Sequence, residues 1–431
     1  KIISKSSKNT DREIMENLAR TCLRSKAISF FTNDENMVAK LVVDAFYTIA
    51  DFTNNHIEID DIKIEEKSGN TSDIQLISGV VIDKTIDNSG MPRIIHNAKI
   101  LLINEELDDK RTKTDAEICI TSPGQIQLYF EKESNIIKSK VQNIINSGAN
   151  VVISQKGISL LAQHYLARAG IISVRRVKEN DLFWLEKATG ASITNDLDNI
   201  SDKHLGYADK VYEKFIGDDK MVFVEGCKNP KSVTLLLRAN SKRLLDEYHR
   251  SVLDAISVLK DFFIKPSIVA GGGSTEAIIA SRIRKMANSV SGREQFAVQK
   301  FADALEEIPI TIARNAGMNA VDTITQLRSK CSTSTNGNKL HWYGIDAIER
   351  KIKEMFSQNV IEPTLVKEQI IKTAVEATNQ LIHVDHVLMA KPTMYTHTHA
   401  DGTTHSHADG NKKHDHFDKL GKMQRPSHHY Y

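Results

Sequence analysis

Hydrophobic and polar positions along the chain follow two periods, about 3.6 and about 2, and the switches between them mark out the elements. Thr10 or Asp11 can cap a helix running to about Lys26. Val38, Leu41, Val42, Ala45, Phe46 and Ile49 put one apolar face on a second helix over 36–51. The period then falls to 2: Ile57, Ile59, Ile62 and Ile64 alternate, which predicts a strand over 57–66. Another strand is expected over 75–83, where an internal Gly79 signals a bend or bulge, and a third over 98–104. Ser122-Pro123 opens a long helix that Gly148 stops, and its charge-rich middle, 131–140, reads as a solvated face.

From Ala149 the periods exchange strictly. Strand 150–155, helix 157–168, strand 171–177, helix 180–189 and a short strand over 191–194 give a β-α-β-α-β order, which implies a parallel layer covered by helices. No phosphate-binding fingerprint follows any of these strands, so this layer receives no cofactor. Two more strands, 221–225 and 232–238, lead into the most chemical stretch of the chain. There a helix carrying Leu245, Val252, Ile256, Leu259 and Phe263 as its buried stripe ends near Lys260. A short apolar run over 267–270 follows, then Gly271, Gly272 and Gly273.

Ser274 is the expected N-cap of the next helix, with Ile279, Ile283, Met286 and Val290 on its apolar face. A glycine-rich turn feeding a helix N-terminus can hold an anion, although three glycines alone serve more often as a tight turn. Asp254 lies one turn after Arg250, where an i,i+4 ion pair is the simplest role and a carboxylate aimed at the glycine turn the sharper one. Beyond the turn the pattern is helical: 295–314 closed by Gly317, 323–330, a polar loop over 332–339, 345–358, and a last helix from Pro363 to about His386.

Composition narrows the function classes. A chain of 431 residues with 40% hydrophobic and 26% charged positions holds more than one domain with ordinary cores. A formal net charge of +2 argues against nucleic acid or an anionic membrane as an obligatory partner, and no apolar run is long enough to span a bilayer. Cys22, Cys119, Cys227 and Cys331 are scattered without a C-x-x-C pair, which fits a reducing, cytoplasmic setting and packing roles. The first residues lack the apolar core of a signal peptide, and the absent Met leaves open that the true start lies upstream.

Several segments together resemble group II chaperonins, the archaeal thermosome and the eukaryotic cytosolic chaperonin: VRRVKENDL at 174–182, GDDKMVFVEGCKNPKSVT at 217–234, RSVLDA at 250–255, VAGGGSTE at 269–276, FADALEEIP at 301–309 and VIEPTLVKEQ at 360–369. They stand in family order and the likeness runs to about Lys391. The resemblance implies a multidomain α+β and α/β subunit. Residues 1–13 would be a remnant of the N-terminal equatorial part. Residues 14–83 and 239–270 would form the intermediate domain, and 84–238 the α/β apical substrate-binding domain with a helical lid protrusion. Residues 271–390 would be the C-terminal half of a mostly helical equatorial ATP-binding domain. The implied activity is ATP-dependent folding of non-native polypeptides in a double-ring homo- or hetero-oligomer, with lid closure on hydrolysis. Asp254 matches the carboxylate that activates the attacking water, Gly271, Gly272 and Gly273 the glycines lining the nucleotide, Glu362 the acidic position near the ribose, and Ile345 and Asp346 a segment near the adenine. In the apical helix, Leu160, Leu161, Tyr165 and Leu166 are a candidate client surface, although core packing is the commoner role for such residues.

The departures from the family matter as much. Its phosphate loop and GDGTT motif, with the magnesium-binding aspartate, belong before the point where this sequence begins, so the resemblance implies half an ATP site here. The alternative is therefore a holdase or scaffold subunit without ATP turnover; an unrelated α/β enzyme is a distant third. Asp401-Gly402-Thr403-Thr404 looks like a piece of GDGTT but stands in a polar tail, where the match is a coincidence. Ala239-Asn240 replaces the usual hinge glycine pair, and Asn319-Ala320 the usual Asp-Pro. The tail beyond Lys391 reads as disordered by composition, with a near repeat THTHADGT/THSHADGN over 396–411. Its three H-x-H pairs, His397 and His399, His405 and His407, His414 and His416, carry a metal-binding hypothesis against the plainer reading of a flexible polar lining.

Overall fold

The parallel layer expected in the middle of the chain is present, but as half of a mixed sheet. A computed structural model describes residues 5–6, 10–26, 28, 35–54, 56–108, 123–227, 230–333 and 342–384, and short strands within 395–424. Its elements, in chain order, begin with β1 (Lys5–Ser6), α1 (Arg12–Arg24), α2 (Glu35–Ile49), β2 (Ile62–Ser68), β3 (Gln75–Ile77), β4 (Gly79–Ile82) and β5 (Ile94–Ile103). There follow α3 (Pro123–Asn146), β6 (Val151–Ser154), α4 (Leu160–Arg168), β7 (Ile172–Val174), α5 (Glu179–Thr189), β8 (Leu205–Ile216), β9 (Asp219–Glu225) and β10 (Val233–Ala239). The second half holds α6 (Lys242–Ile264), β11 (Ser267–Ala270), α7 (Ser274–Ala287), α8 (Glu294–Asn315), α9 (Ala320–Thr333), β12 (Tyr343–Asp346), β13 (Lys351–Glu354), β14 (Ile361–Pro363) and α10 (Thr364–Ile382). Two compact units divide the chain, Lys1–Gln369 and Ile370–Tyr431.

A six-stranded sheet runs in the order β4-β9-β8-β5-β6-β7, with β5, β6 and β7 parallel and the other pairings antiparallel. Strands β6 and β7 bury every side chain, as strands covered on both faces must, while β5 is fully buried only over its last four residues. Val141, Ile144, Ala162, Leu166, Leu182 and Leu185 from the three helices complete that core. A second core is built on α1, α2 and α6 against β2 and β10, where Phe46 and Phe263 meet edge-on at 5.7 Å. In α6 the whole expected stripe, Leu245, Val252, Ile256, Leu259 and Phe263, is buried, and the helix runs to Ile264. Burial of each such side chain is worth about 1.5–3 kcal/mol.

Several expectations are corrected. The strand expected over 75–83 is two strands in different sheets: β3 pairs with β10 beside β2, whereas β4 pairs with β9. Gly79 makes the crossing possible, since a Cβ there would stand 2.0 Å from the Val224 carbonyl oxygen. Residues 191–194 contribute only a bridge between Ile103 and Thr194. Strand β8 had no counterpart in the sequence reading. Residues 345–358 are not a helix but the β12–β13 hairpin. Their apolar residues have helical spacing, yet Ile348 lies at the tip, 85% exposed. Asp346 Oδ1 there accepts hydrogen bonds from the N–H groups of Ile348 and Glu349, both at 3.0 Å, and fixes a turn.

In α7 the N-cap is Gly273, not Ser274, and the buried apolar residues are Ala277, Ile278, Ala280 and Ala287, while Met286 is exposed. The helix after 320 runs to Thr333, and the polar loop expected from 332 lies, from 334 on, outside the described residues. Asn319 accounts for its own departure: its side-chain oxygen accepts from the N–H groups of Val321 and Asp322, at 3.1 and 3.4 Å, and so caps α9 as an aspartate would. In α4, Leu166 is buried, but Leu160 is 77% exposed and Leu161 also reaches solvent. The tail is not wholly without structure: β15 (Tyr395–Thr398) pairs with β16 (Thr404–His407), and β17 (His416–Phe417) with β18 (Met423–Gln424). No described helix is long and apolar enough to cross a membrane.

Candidate functional site

The glycine turn is a junction of three segments. Strand β11 pairs antiparallel with β14, setting Val269 opposite Glu362, and the N–H of Gly271 donates to the Val360 carbonyl at 3.0 Å. From the other side the β12–β13 hairpin docks, with Ile345 N–H donating to the Gly272 carbonyl at 2.8 Å. Two segments far along the chain, at Ile345 and at Val360, are thereby stitched to one turn through their main chains.

Why glycines stand there follows from this crowding. Gly272 and Gly273 adopt left-handed backbone, φ 62° and 73°. A Cβ on Gly272 would lie 2.8 Å from Met355 Sδ, one on Gly273 2.7 Å from Pro309 Cβ, and one on Gly271 3.0 Å from Glu362 Oε1. The small residues let the hairpin, α8 and the Glu362 carboxylate close on the turn. Gly273 then opens α7, whose N-terminal dipole is positive.

Beside the turn is a charged cluster. Lys367 Nζ lies 2.7 Å from Glu276 Oε1 and 2.7 Å from Glu362 Oε2. Burial works against the Lys367 ammonium, yet the two carboxylates outweigh it and its pKa stands above the ordinary lysine value. Burial likewise pushes the Glu362 carboxyl up, the pull of Lys367 only partly offsetting it. The cluster is incompletely satisfied. Glu276 Oε2, Ser274 Oγ and Thr364 Oγ1 are buried without a hydrogen-bond partner among the described residues.

Asp254 stands on the outer face of α6, about half exposed, and its partner is Lys26 at the end of α1, Nζ to Oδ2 2.8 Å. The expected pair with Arg250 does not form; Arg250 bonds Glu247 instead. The Lys26 pKa is raised, chiefly by its hydrogen bond to Asp254. Cys22, one turn earlier on α1, ties the two sides together. Its thiol is pushed up to about 11, first by burial, then by the field of Asp254, with Glu362 adding to it. Asp254 and Glu362 therefore act on one neighbourhood. Ile345 is buried in the hairpin, while Asp346 is engaged by Lys353 at 2.9 Å. Burial pushes its carboxyl up, but the Glu349 N–H and the Lys353 ammonium hold it below the usual carboxylate range.

The structure thus brings Gly271, Gly272, Gly273, Ile345 and Glu362 to one turn and shows Asp254 held by Lys26. Sequence reasoning missed Lys26, Glu276 and Lys367. The Lys26–Asp254 contact spans 228 positions, which no local spacing can encode. Among the described residues no group of three or more His, Cys, Asp or Glu is arranged to hold a metal ion.

Comparison with known proteins gives one consistent result. Residues 1–392 match the model of the TCP-1/cpn60 chaperonin family. The chain is 42% identical over 384 residues to a thermosome subunit of Methanopyrus kandleri, spanning 88% of this chain and 69% of that protein. It is 42% identical over 391 residues to one from Pyrococcus horikoshii, spanning 90% and 70%. Among solved structures it is similar to an open-state monomer of a group II chaperonin from Methanococcoides burtonii, with a TM-score of 0.61, 33% identity and 88% of each chain covered. With its sequence and its fold agreeing over nearly their whole shared length, this chain belongs to the TCP-1/cpn60 chaperonin family.

Proposed function

We propose that this chain is a subunit of an ATP-driven protein-folding oligomer, and that its nucleotide is handled at the glycine turn. One observation carries this reading: β11, β14 and the β12–β13 hairpin converge on Gly271–Gly273 through main-chain hydrogen bonds. The group fits a nucleotide in kind. The turn opens a helix N-terminus, which favours phosphate. Glu362 offers a carboxylate that can accept from ribose hydroxyls, and Ser274 Oγ, Thr364 Oγ1 and Glu276 Oε2, without a partner among the described residues, leave hydrogen-bonding capacity unmet. Ile345 and Asp346 would lie along the adenine.

Asp254 would take a proton from the water that attacks the terminal phosphorus. The new bond joins water oxygen to phosphorus, the bond to the bridging oxygen breaks, and ADP leaves. Lys26 would hold Asp254 in place and put positive charge beside developing phosphate charge. Phosphoryl transfer depends on such positioning and neutralisation. Magnesium would add to that neutralisation through ligands other than those described. In the same reading 84–238 is the client-binding body, with exposed Leu160 and Leu161 toward non-native polypeptide and α3 in the lid. Residues 14–83 with 239–270 carry movement from the ATP site to it, and other subunits complete the ring.

The test is Asp254→Asn in the purified oligomer. ATP should still bind, while turnover falls about a hundredfold or more, as for loss of a general base. Hydrolysis near the wild-type rate in that variant would remove Asp254 from the mechanism. A wild-type oligomer that binds unfolded protein yet never turns over ATP would be the holdase instead.

A further inference from the structure

Two helices that cover the six-stranded sheet leave a groove between them. Helices α3 and α4 each connect neighbouring parallel strands, β5 to β6 and β6 to β7, so they lie side by side and run the same way. Val141 and Ile145 of α3 are one turn apart, as are Tyr165 of α4 and Ala169 just past its end. These four line a cavity of about 200 Å³. Val141 is buried, while Ile145 and Tyr165 are partly covered and rest on the main core. Leu161, one turn before Tyr165, carries the apolar strip further and is 36% exposed.

The rim has one sign. Lys138 and Arg168 flank the cavity, both exposed, and neither side chain has a hydrogen-bond or ion-pair partner among the described residues. Gln142 adds a neutral group, and no acidic side chain among the described residues lines the cavity. By contrast Lys140, two residues along α3, is matched by Glu105 at 2.6 Å. A void of this size holds one large side chain, whereas a drug-sized molecule needs about 300 Å³ or more. From Lys138 to Ile145 the helix advances about 10 Å, a length that about three residues of extended chain also span.

We propose that this groove binds extended segments of non-native polypeptide in which a large apolar residue is flanked by acidic ones. The apolar side chain fills the cavity over Val141, Ile145 and Tyr165, and the carboxylates on either side meet Lys138 and Arg168. A desolvated anchor inside a polar rim is how small interfaces concentrate their binding energy. Complementary charge at the rim adds selectivity between partners rather than bulk affinity. The choice of occupant rests on reading 84–238 as the client-binding body. The cavity size and the unmatched cations supply the place and the charge preference.

Fluorescence anisotropy of short peptides on the full chain tests it. The probe carries a phenylalanine between two glutamates; its counterparts replace both glutamates by lysine, or the phenylalanine by glycine. The glutamate peptide should bind about tenfold more tightly than the lysine peptide, and loss of the phenylalanine should cost about tenfold or more. Added salt should narrow the first difference and spare the second. Reversing the rim, Lys138→Glu with Arg168→Glu, should invert the charge preference, and both side chains are exposed, so the fold is kept. Lys156→Glu with Lys178→Glu, two exposed lysines beyond the ends of β6 and β7, should leave the preference as it was. Equal binding of the glutamate and lysine peptides, or a preference that survives the rim reversal, would overturn the groove as the site. Self-association of the chain that the rim reversal abolishes, with no peptide bound, would give the groove to a second copy and overturn the choice of occupant. A chain that captures a chemically unfolded protein yet fails these tests would keep the client-binding reading and lose the groove. A chain that captures none would lose both.

Discussion

Lys63 and Lys367 each bridge two carboxylates, and their surroundings teach opposite lessons. Lys63, on β2, is 3% exposed. It donates to Asp181 on α5 at 2.5 Å, to the Val81 carbonyl at 2.5 Å, and lies 3.1 Å from Glu65, with the Trp184 ring 5.2 Å away. Nearby Lys187 binds Glu58 and Asp61, and Trp184 Nε1 donates to the Asp60 carbonyl. Each charge there has its complement. Lys367 bridges Glu276 and Glu362 beside the glycine turn, but there Glu276 Oε2, Ser274 Oγ and Thr364 Oγ1 have no hydrogen-bond partner among the described residues. A closed cluster joins two layers of a fold. An open one holds unmet capacity that a ligand can use.

The largest expected effect breaks the closed cluster. Lys63→Met leaves Asp181 and Glu65 without their cation and should cost about 3–5 kcal/mol of stability, read from urea unfolding. Replacing all three by apolar residues of similar volume should recover most of that loss, because the penalty lies in the stranded charge. A Lys63→Met loss no larger than that of a surface change would mean that the cluster is solvated and the contrast unfounded.

Lys367→Met should do less to stability, about 2–3 kcal/mol, since the first-turn dipole of α7 still favours the Glu276 carboxylate. Its distinguishing effect lies in function. Freed of Lys367, Glu362 is no longer positioned, so KM for ATP should rise about tenfold while kcat changes little. Lys63→Met, wherever it remains folded, should leave KM alone. A KM unchanged in Lys367→Met, or raised equally in both variants, would erase the distinction between closed and open clusters.

How much of this was legible in sequence depended on how local the cause was. The buried stripe of α6 and the C-terminal stop at Gly317 follow from spacing and a single glycine, φ 71°. Strand β8 did not, because Asp209, Lys210, Glu213 and Lys214 interrupt its apolar positions. Pairing with β5 on one side and β9 on the other makes it a strand, and Arg93 with the Ile86 N–H satisfies Glu213. The β12–β13 hairpin was masked by helical spacing that tertiary contact overrides. Gly344 must pack against Met355 and the carbonyls of Gly271 and Gly272, where a Cβ would stand 2.7–2.9 Å away. The candidate site was legible only through family segments. Its ion pairs, Lys26 with Asp254 and Lys367 with two carboxylates, are products of the fold.

The smallest effect sharpens the picture of the open side, using two thiols as reporters. Cys22 and Cys227 are both pushed up to about 11, first by burial, but Cys22 then feels Asp254 and Glu362, and Cys227 feels Asp209. At pH 8 an ordinary thiol is about a quarter ionised, whereas one near 11 is ionised to about one part in a thousand. Both should therefore alkylate slowly, and site-resolved mass spectrometry can follow each. Asp254→Asn removes one negative neighbour of Cys22 and should speed its alkylation about threefold, leaving Cys227 unchanged. The sign is fixed by charge: losing an anion favours the thiolate. Equal acceleration of both thiols would mean general loosening, and no acceleration of Cys22 would mean that Asp254 and the Glu362 side do not share a field. Acceleration of Cys22 alone would join Asp254 electrically to the neighbourhood where Lys367 holds Glu362.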